Sequence, residues 1–533
     1  MPEPALPLDE QPVITGTRSW EGGSNQYLHP TEIQDNQARY IIDGDISTPP
    51  HLAKRKGYTI LGNNSDSDRI TGGAEFKPFG SLPILFRERE DAVIEKLEPG
   101  QSSFSVSKNT GLHANLNINY QQIRNELYRF SQVDPCWVFD GQNWVEQGIQ
   151  NTSIPQGNLA LWYKSYLFVG GNLNDTDFLW FSSAGAPKVF DRTVNVFKVS
   201  EGDNSIMTGL APFRASSVII GKENSIHELI VSGTTPLTDW ILRPVDNELG
   251  MVCPPYAANA NRIFFLSSDK EVRELLTTQQ DTSIAKGEPL SKNIPDWMNA
   301  INWDDKKAIR QCRLVAYKNR LFVSVPMKSA KKPNAVLVLD LLTGGWVLWE
   351  NFPVAEFTKT TLNGREILVF HSNTTGSSFR MFYGKTDNGT NISLRVFTKD
   401  YAADGAQGLV EGAFQETELM AEATENATFT VKGRIDSGLQ QTTPGDYTTL
   451  VNESDANMDL EGSQLSLSSS PNLPFNFLDN HLIREKFNIV NKINPNTGRH
   501  IGYLIEEATD AEVVISRILT RSLPNTYSLQ EGV

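Results

Sequence analysis

The sequence predicts an all-β protein whose central part is a β-propeller of six or seven blades. One observation is a dense series of short runs of aromatic and branched residues, each closed by a turn containing Gly, Asp or Asn. Within residues 128–183, Asp140-Gly141 is a strong hairpin signal, because Gly tolerates the positive φ of tight turns. The other observation is repetition: units of several strands recur roughly every 40–55 residues, which is typical of propeller blades.

The repeats have diverged but keep a common form. Residues 316–325 follow the pattern of residues 162–170, in which a strand, a basic or polar turn and a second strand succeed one another. Residues 337–346 follow the pattern of residues 138–144, where Trp144 is expected to pack back onto the face of Phe139 or Trp137. Further versions of the unit occupy residues 217–229 and 261–268.

Composition along the chain predicts three regions. Residues 1–57 form an extended N-terminal arm, because prolines at positions 2, 4, 7 and 12 keep its start extended. Residues 58–386 form the propeller, with a short helix predicted over residues 296–301, where Pro295 suits the first helical position. Residues 387–533 form an acidic β-rich module, predicted to be β-sandwich-like from the separate alternating runs at 428–435, 464–468 and 512–518.

The bulk properties exclude several classes of protein. The net charge of −15 disfavours tight nucleic-acid binding, and residues 400–461 contribute 13 acidic side chains against only Lys432 and Arg434. Three widely spaced cysteines indicate neither a disulfide framework nor a zinc site. The sequence shows no signal-peptide pattern and no apolar run near the roughly 18 residues of a membrane span. We therefore expect a soluble protein made in the cytosol.

Few residues have a spacing that indicates metal binding. The seven histidines are scattered, and pairs such as His29 with Glu32 or His481 with Glu485 fall short of a metal-ligand pattern. His227 lies in a strand-like run and is expected to be a packed or solvated side chain. The spacing of an EF-hand calcium loop is matched, in part, by Asn64, Asp66, Asp68 and Glu75. Arg69 stands where that loop needs Gly, so a plain polar turn is favoured.

Catalytic patterns are similarly weak. Asp140-Gly141-Gln142-Asn143-Trp144 loosely resembles the Asp-box turn of sialidase-type propellers, but Val138 replaces the expected Ser, and that turn is structural in those enzymes. Glycoside cleavage would need two convergent carboxylates, which a sequence alone does not reveal. A basic loop at Lys328, Lys331 and Lys332 is predicted to be solvated, with contact to a partner or to nucleic acid as the alternative. We predict no enzyme activity, no catalytic, cofactor-binding or metal-binding residue, and no cofactor.

A series of motifs, taken in order, resembles the propeller-bearing tail hub and nozzle proteins of short-tailed bacteriophages. The arm, with Gly22-Gly23-Ser24-Asn25, Pro30 and Leu52 to Gly57, is similar to that family's arm, which ends in Arg-x-Gly before the first blade. Further similar stretches are 134–141, 182–187, 206–210, 221–229 and 248–250. The resemblance spans roughly residues 20–390, and more loosely the C-terminal module.

The resemblance implies a structural role in the virion tail. Six copies would form a ring beneath the portal and its adaptor ring, continue the DNA channel between subunits, and offer rims for tail fibres or a plug. An acidic channel would let DNA pass without sticking, because it repels phosphates. The protein would be assembled in the host cytoplasm. Two alternatives stay open: a carbohydrate-binding or receptor-binding propeller of a tail, and a glycan-cleaving enzyme.

Overall fold

Strands dominate the protein. In the described residues, the helices are short: α-helices at Pro236–Asp239, Pro295–Asn299 and Lys306–Ile309, and a 3-10 helix at Leu290–Asn293. The helix expected after residue 294 is thus present, with Pro295 at its first turn. The computed structural model describes residues 12–62, 68–148, 152–203, 205–233, 236–259, 261–277, 284–286, 288–405, 408, 410–423, 427–436, 448–450, 458–459, 481–488 and 497–524.

Seven antiparallel sheets in the described part of the chain form the blades of a propeller, and we number them in chain order. The strands of blade 1 are Ile70–Phe76, Ile84–Arg89, Ile94–Leu97 and Ser105–Lys108. Those of blade 2 are Asn119–Ile123, Glu126–Phe130, Trp137–Phe139 and Trp144–Glu146. Those of blade 3 are Leu159–Tyr163, Tyr166–Gly170, Phe178–Ser183, Ala186–Phe190 and Val196–Lys198. The strands of blade 4 are Met207–Phe213, Ser217–Lys222, Ile226–Ile230 and Ile241–Asp246. Those of blade 5 are Tyr256–Asn259, Arg262–Leu266, Val272–Thr277 and Ile284–Lys286. The strands of blade 6 are Leu314–Tyr317, Arg320–Val325, Ala335–Asp340 and Trp346–Glu350. Those of blade 7 are Val354–Leu362, Arg365–Ser372, Ser378–Met381 and Tyr58–Ile60.

The ring closes through a strand from the N-terminal side. The first strands of blades 1 to 6 lie side by side in chain order, and the first strand of blade 7 lies against that of blade 1. Beside the first strand of blade 6, Arg313 Nε lies 2.7 Å from Oε2 of Glu356 in the first strand of blade 7. The outer strand of blade 7 is Tyr58–Ile60, which pairs antiparallel with Ser378–Met381. The predicted six or seven blades are therefore seven, because a strand that precedes blade 1 in the sequence completes blade 7.

Apolar side chains fill the spaces between neighbouring blades. Phe76 and Phe86 of blade 1 pack edge-to-face with Phe139 of blade 2, at ring-centroid distances of 5.5 and 5.1 Å. Trp144 joins this cluster 5.3 Å from Phe139, which confirms the packing expected from the sequence. Aromatic pairs of this kind add stability beyond the apolar area that they bury. Each blade thus depends on its neighbours for a complete core.

A second β-structure continues from blade 6. Strand Ala38–Ile42 of the arm pairs parallel with Trp346–Glu350 and antiparallel with Leu394–Thr398. The sheet then extends through His500–Glu507 to Thr428–Ile435 and Thr448–Leu450. Short strands at its margins are Tyr401–Ala402 and Met458–Asp459, and separate short strands at the edge of blade 7 are Thr386–Asp387 and Thr390–Asn391. One continuous sheet therefore joins the propeller to the C-terminal region.

A second sheet covers this extension. Its strands are Gly44–Asp45, Leu52–Lys54, Val513–Pro524, Gly412–Ala423 and His481–Asn488, with Val13–Thr17 and Thr497–Gly498 at its margins. Phe414 and Ile515 of this sheet share an apolar core with Phe429 and Tyr503 of the facing sheet, as in a β-sandwich. The arm, as far as it is described, supplies strands to both sheets. Of the strand patterns expected in this region, residues 464–468 lie outside the described residues.

Arg55 fastens the arm to the end of the propeller. Its guanidinium is buried, and it donates from Nε to Asp43 Oδ1 at 2.6 Å and from Nη1 and Nη2 to the Asp387 carboxylate at 2.7 and 2.5 Å. Gly57, two residues later, touches the chain beside Asp387 so closely that a Cβ would lie 1.9 Å from the carbonyl oxygen of Thr386. The Arg-x-Gly sequence is therefore the joint at which the ring is closed.

Candidate functional site

The turns between the first and second strands of the blades lie on one face of the propeller, because strand direction alternates within each sheet. We call this the turn face. Every blade carries one cationic side chain in that turn or at the first residue after it: Lys77, Arg124, Lys164, Arg214, Arg262, Lys318 and Arg365. We call these seven residues the cation ring.

Backbone geometry defines the turns that carry two of the ring cations. Lys164 and Ser165 have φ values of 46° and 66°, and Lys318 and Asn319 have 48° and 60°. Two successive positive φ values are the mark of the type I′ turn, whose twist matches the flanking strands of a hairpin. Lys164 and Lys318 are therefore presented on short, well-defined hairpins.

Most of the ring charges are uncompensated. Arg262 is ion-paired with Glu274, whereas the other six form no ion pair within the described residues. Lys164 Nζ donates to the carbonyl of Val231 at 3.1 Å, and Arg124 Nη2 to that of Gly185 at 3.3 Å.

The opposite face, which we call the loop face, is mainly acidic. The connections between second and third strands carry Glu90, Asp91, Asp134, Asp175, Asp177, Glu223, Asp269 and Glu271. Blades 6 and 7 have no acidic side chain in this connection, and in blade 6 the predicted basic loop lies there: Lys328 and Lys331 are exposed, and Lys332 Nζ donates to the carbonyl of Asn373 at 3.2 Å. On the turn face, the connections between third and fourth strands add the acidic side chains Glu98, Asp140 and Asp239, so both faces carry charges of both signs.

Buried ion pairs lock neighbouring blades together below these faces. Lys222 of blade 4 has a fully buried Nζ, which lies 2.7 Å from Asp177 Oδ1 of blade 3 and 2.6 Å from Asp203 Oδ1. It also donates to the carbonyl of Val199 at 3.0 Å. Burial raises the pKa of Asp203, but the hydrogen bonds from Lys222 and from the backbone of Ser205, together with the charge of Lys222, outweigh burial, and the net pKa is below its usual range. The same cation thereby connects two blades and their linker.

A polar cleft of about 430 Å³ lies away from the propeller, where the arm meets the sandwich. Its lining includes Arg18, Asp35, Lys399 and Asp400. Lys399 Nζ lies 2.7 Å from Asp35 Oδ1, and Arg434 approaches the buried Asp400 at 3.4 Å. Burial raises the pKa of Asp400, against the opposing effect of Arg434. The charges in the cleft are thus largely neutralised within the chain.

The calcium-loop candidates are only partly described. Asn64 and Asp66 lie outside the described residues. Glu75 lies in the first strand of blade 1, and its Oε2 accepts a hydrogen bond from the backbone N–H of Thr361 at 3.2 Å. An EF-hand needs this position at the start of a helix. Glu75 instead links blade 1 to blade 7 through its hydrogen bond to Thr361. The described residues contain no group of three or more His, Cys, Asp or Glu side chains arranged to hold a metal ion.

The remaining candidates serve the fold. Asp140 Oδ1 accepts from the backbone N–H groups of Gln142 and Asn143 at 2.8 and 2.7 Å, and these bonds lower its pKa. His227 Nε2 lies 3.0 Å from Ser225 Oγ, and burial lowers its pKa. His29 Nδ1 bonds Thr31 Oγ1 at 2.9 Å. The side chains of His481 and Glu485 lie outside the part of the chain that the structure describes.

Sequence reasoning missed the cation ring, although its signal is present in the sequence. Once the blades are aligned on their first strands, a Lys or Arg follows each one within three residues. The polar cleft has no comparable signal, because residues 14–19, 31–36 and 399–405 meet only in the fold. In the described residues, no helix is long and apolar enough to cross a membrane.

Comparison with known proteins finds likeness in structure alone. No protein family and no curated protein matches this chain. Among solved structures, the chain is similar to the computationally designed Ika8 protein, at 13% identity and a TM-score of 0.36 over 61% of this chain and 100% of that one. The chain is also similar to YCF48 bound to D1 peptide, at 10% identity and a TM-score of 0.37 over 63% of this chain and 96% of that one.

A third similar structure is the β-propeller domain of Cps50 (Swd1) from Myceliophteria thermophila, at 12% identity and a TM-score of 0.41 over 61% of this chain and 99% of that one. The assignment of a β-propeller fold rests on this chain's own strand order and on the closure of its ring. Such distant likeness says nothing about function, because one fold serves many functions.

Proposed function

We propose that this protein is a structural component of a bacteriophage tail, a hub or nozzle that extends the DNA channel and docks other tail proteins. The observation that carries the proposal is the joint at Arg55-Lys56-Gly57. This stretch resembles the Arg-x-Gly that ends the arm of the tail hub and nozzle family. In this chain it fixes the arm through Asp43 and Asp387, immediately before the strand that closes the ring.

The architecture suits a load-bearing part. Strand Ala38–Ile42 joins blade 6 to the sandwich within one sheet, so main-chain hydrogen bonds run from the propeller into the C-terminal region. Blade 7 is closed by a strand from the other end of the propeller segment. A part that guides DNA under pressure has to resist distortion, and a continuous sheet with a closed ring provides that resistance.

The charge distribution suits a conduit with docking rims. The net charge of −15 disfavours retention of DNA, whose binding depends on phosphate neutralisation. The connections between second and third strands are mainly acidic, whereas the turns between first and second strands carry a cation in every blade. This local difference in charge favours one orientation of partners, because like charges placed together are costly. In the proposed assembly, an adaptor ring and a fibre or plug meet different faces of the subunit.

Negative-stain electron microscopy tests the proposal. The purified full chain is imaged alone and after mixing with portal-adaptor rings of short-tailed phages. We expect sixfold rings with an open centre, either free or formed on the adaptor. Monomers that never join such rings, but are retained on a glycan array, would support the alternative of a receptor-binding propeller.

A further inference from the structure

The polar cleft between the arm and the sandwich has preformed walls, which come from residues 14–19, 31–36 and 399–405. Hydrogen bonds fix these segments to one another. Thr17 Oγ1 lies 2.6 Å from the hydroxyl oxygen of Tyr401, and the backbone N–H of Asp400 donates to the carbonyl of Pro30 at 3.0 Å. The volume of about 430 Å³ falls in the range of small-molecule sites, about 300–1,000 Å³. A ligand would therefore find the walls already in place.

Four residues that line the cleft have buried side-chain oxygen atoms without a hydrogen-bond partner in the described part of the chain. These atoms are Thr15 Oγ1, Ser19 Oγ, Asn36 Oδ1 and Asp400 Oδ2. Asp400 is the most deeply buried of the four, since its side chain is only 2% exposed. Buried polar groups are nearly always hydrogen-bonded, because an unpartnered one is costly. The four oxygens therefore require a donor, which comes from water or from a ligand.

The charges in the lining of the cleft are balanced. Lys399 is 13% exposed, and its Nζ pairs with the carboxylate of Asp35, whose side chain is 78% exposed. Arg18 is exposed and forms no ion pair within the described residues. The lining thus holds two cations, Arg18 and Lys399, and two carboxylates, Asp35 and Asp400, so its formal charge is zero.

This balance of charge disfavours ions as ligands. A phosphate would meet the carboxylates of Asp35 and Asp400. A metal ion would meet the two cations, and the described residues contain no group of three or more His, Cys, Asp or Glu side chains that could hold one. An uncharged ligand rich in hydroxyl groups meets neither obstacle. Each hydroxyl group can donate to an unpartnered oxygen and accept from Arg18 or Lys399.

We propose that the cleft binds a neutral saccharide unit, whose hydroxyl groups donate to the unpartnered oxygens of its walls. This inference goes beyond the proposed function, because it adds a glycan contact on the arm and the sandwich, outside the propeller. It does not depend on ring formation, since every wall belongs to one chain. Binding exchanges hydrogen bonds with water for hydrogen bonds with protein, so a single unit binds weakly. A glycan that engages several copies of the protein at once gains strength from multivalency.

Saturation-transfer difference NMR of the full chain tests the inference, with D-glucose, D-galactose, N-acetyl-D-glucosamine and L-rhamnose as separate probes. We expect signals from at least one of the four, and titration of that probe gives its Kd. Because the ligand is uncharged, its Kd should be the same at about 0.1 M and about 1 M salt, a range over which charge attraction is increasingly screened. D-glucose 6-phosphate, which adds a charged group, should bind no more tightly than D-glucose.

A double variant tests the place of binding. Thr15→Val with Asn36→Ala removes two of the unpartnered oxygens and no charge, so the fold should be retained, which circular dichroism checks. We expect the Kd of the bound probe to rise about tenfold, because each lost hydrogen bond weakens binding several-fold. The matched control, Thr110→Val with Asn109→Ala, makes the same changes at exposed positions outside the cleft. Its Kd should equal that of the wild type.

Several outcomes would overturn the inference. These are the absence of a signal from all four probes, a Kd that the cleft variant leaves unchanged, or a Kd that rises equally in the cleft variant and the control. Tighter binding of D-glucose 6-phosphate that weakens with salt would assign the cleft to anions instead. Ring formation is measured separately by microscopy. Saccharide binding in the cleft by a chain that never forms rings would contradict the proposed function alone.

Discussion

Arg129 of blade 2 and Glu88 of blade 1 form a fully buried, bidentate ion pair across the interface of the two blades. Arg129 Nε lies 2.8 Å from Glu88 Oε2, and Nη2 lies 2.6 Å from Oε1. The remaining donor Nη1 reaches Asp134 Oδ2 at 2.8 Å, and the hydroxyl of Tyr120 donates to Glu88 at 2.7 Å. Every member of this network is thus hydrogen-bonded, which is the condition for tolerating buried charge.

Breaking this pair should be costly. Arg129→Met leaves Glu88 and Asp134 buried without their cation, and loss of one partner of a buried pair typically costs about 3–5 kcal/mol. We expect a large fall in the urea midpoint of the variant. Lys188→Met, which removes a half-exposed partner of Glu126, should change stability by less than about 1 kcal/mol. Equal midpoints for the two variants would contradict this assignment.

The burial of His371 leads us to expect that the protein loses stability in acid. Its ring is fully buried between Thr358 and Ser378, at 3.2 and 2.8 Å, and burial, with the nearby Arg87, lowers its pKa to about 3. The unfolded chain binds a proton near pH 6.5 and the folded chain does not. Stability from this group is therefore complete above pH 6.5 and is lost progressively down to about pH 3.

The size of this effect follows from the linkage between protonation and folding. At pH 5 the loss of stability is about 2 kcal/mol, at 1.36 kcal/mol for each pH unit below 6.5. Urea unfolding at pH 7 and pH 5 measures it, and His371→Asn removes the titrating group. We expect a flatter dependence on pH in that variant. A dependence as steep as that of the wild type would assign acid sensitivity to other groups.

The fold class could be predicted from the sequence because blades are local. A blade such as Asn119–Glu146 is one run of chain, so its strands, its Asp140 turn and its aromatic packing all leave a periodic signal. The count of blades depended on Tyr58–Ile60, which pairs with strand Ser378–Met381, more than 300 residues away. Short strands recruited over such separations have no neighbouring repeat to reveal them.

The surfaces were harder to predict than the fold. Lys164 and Lys318 are unremarkable turn residues in the sequence, and only alignment of the blades shows that they share one face. The buried cations were likewise invisible, because Arg55 meets Asp387 and Lys222 meets Asp177 through the fold. Composition indicated an acidic protein, yet the arrangement of the blades places one cation from each blade on the same face.

Gly57 provides a test of the joint that closes the ring. A methyl group at this position would lie 1.9 Å from the carbonyl oxygen of Thr386, so Gly57→Ala must displace backbone. Overpacking of this kind typically costs about 1–3 kcal/mol. We expect a lower thermal midpoint and easier proteolysis between the arm and blade 1. Gly100→Ala is the control, since its Cβ meets nothing within 4 Å and only its positive φ opposes the substitution. A smaller effect at Gly57 than at Gly100 would contradict the close contact.

Replacing Lys222 should lower the stability of the protein by an amount that depends on pH. Without its ammonium group, Lys222→Met leaves the carboxylates of Asp177 and Asp203, each within 2.7 Å of that group, to repel each other. Since the hydrogen bond from Lys222 helps to hold the pKa of Asp203 below its usual range, that pKa should rise in the variant. Protonation would then relieve the repulsion.

The stability deficit of Lys222→Met relative to wild type should therefore be larger at pH 7 than at pH 4. Lys198→Met, which removes an exposed partner of Glu201, should show almost no deficit at either pH, because exposed ion pairs contribute little. Urea unfolding of the three proteins at both pH values measures the difference. A deficit that is the same at pH 4 and pH 7 would mean that Lys222 acts through packing of its side chain, and that its charge does not link blades 3 and 4.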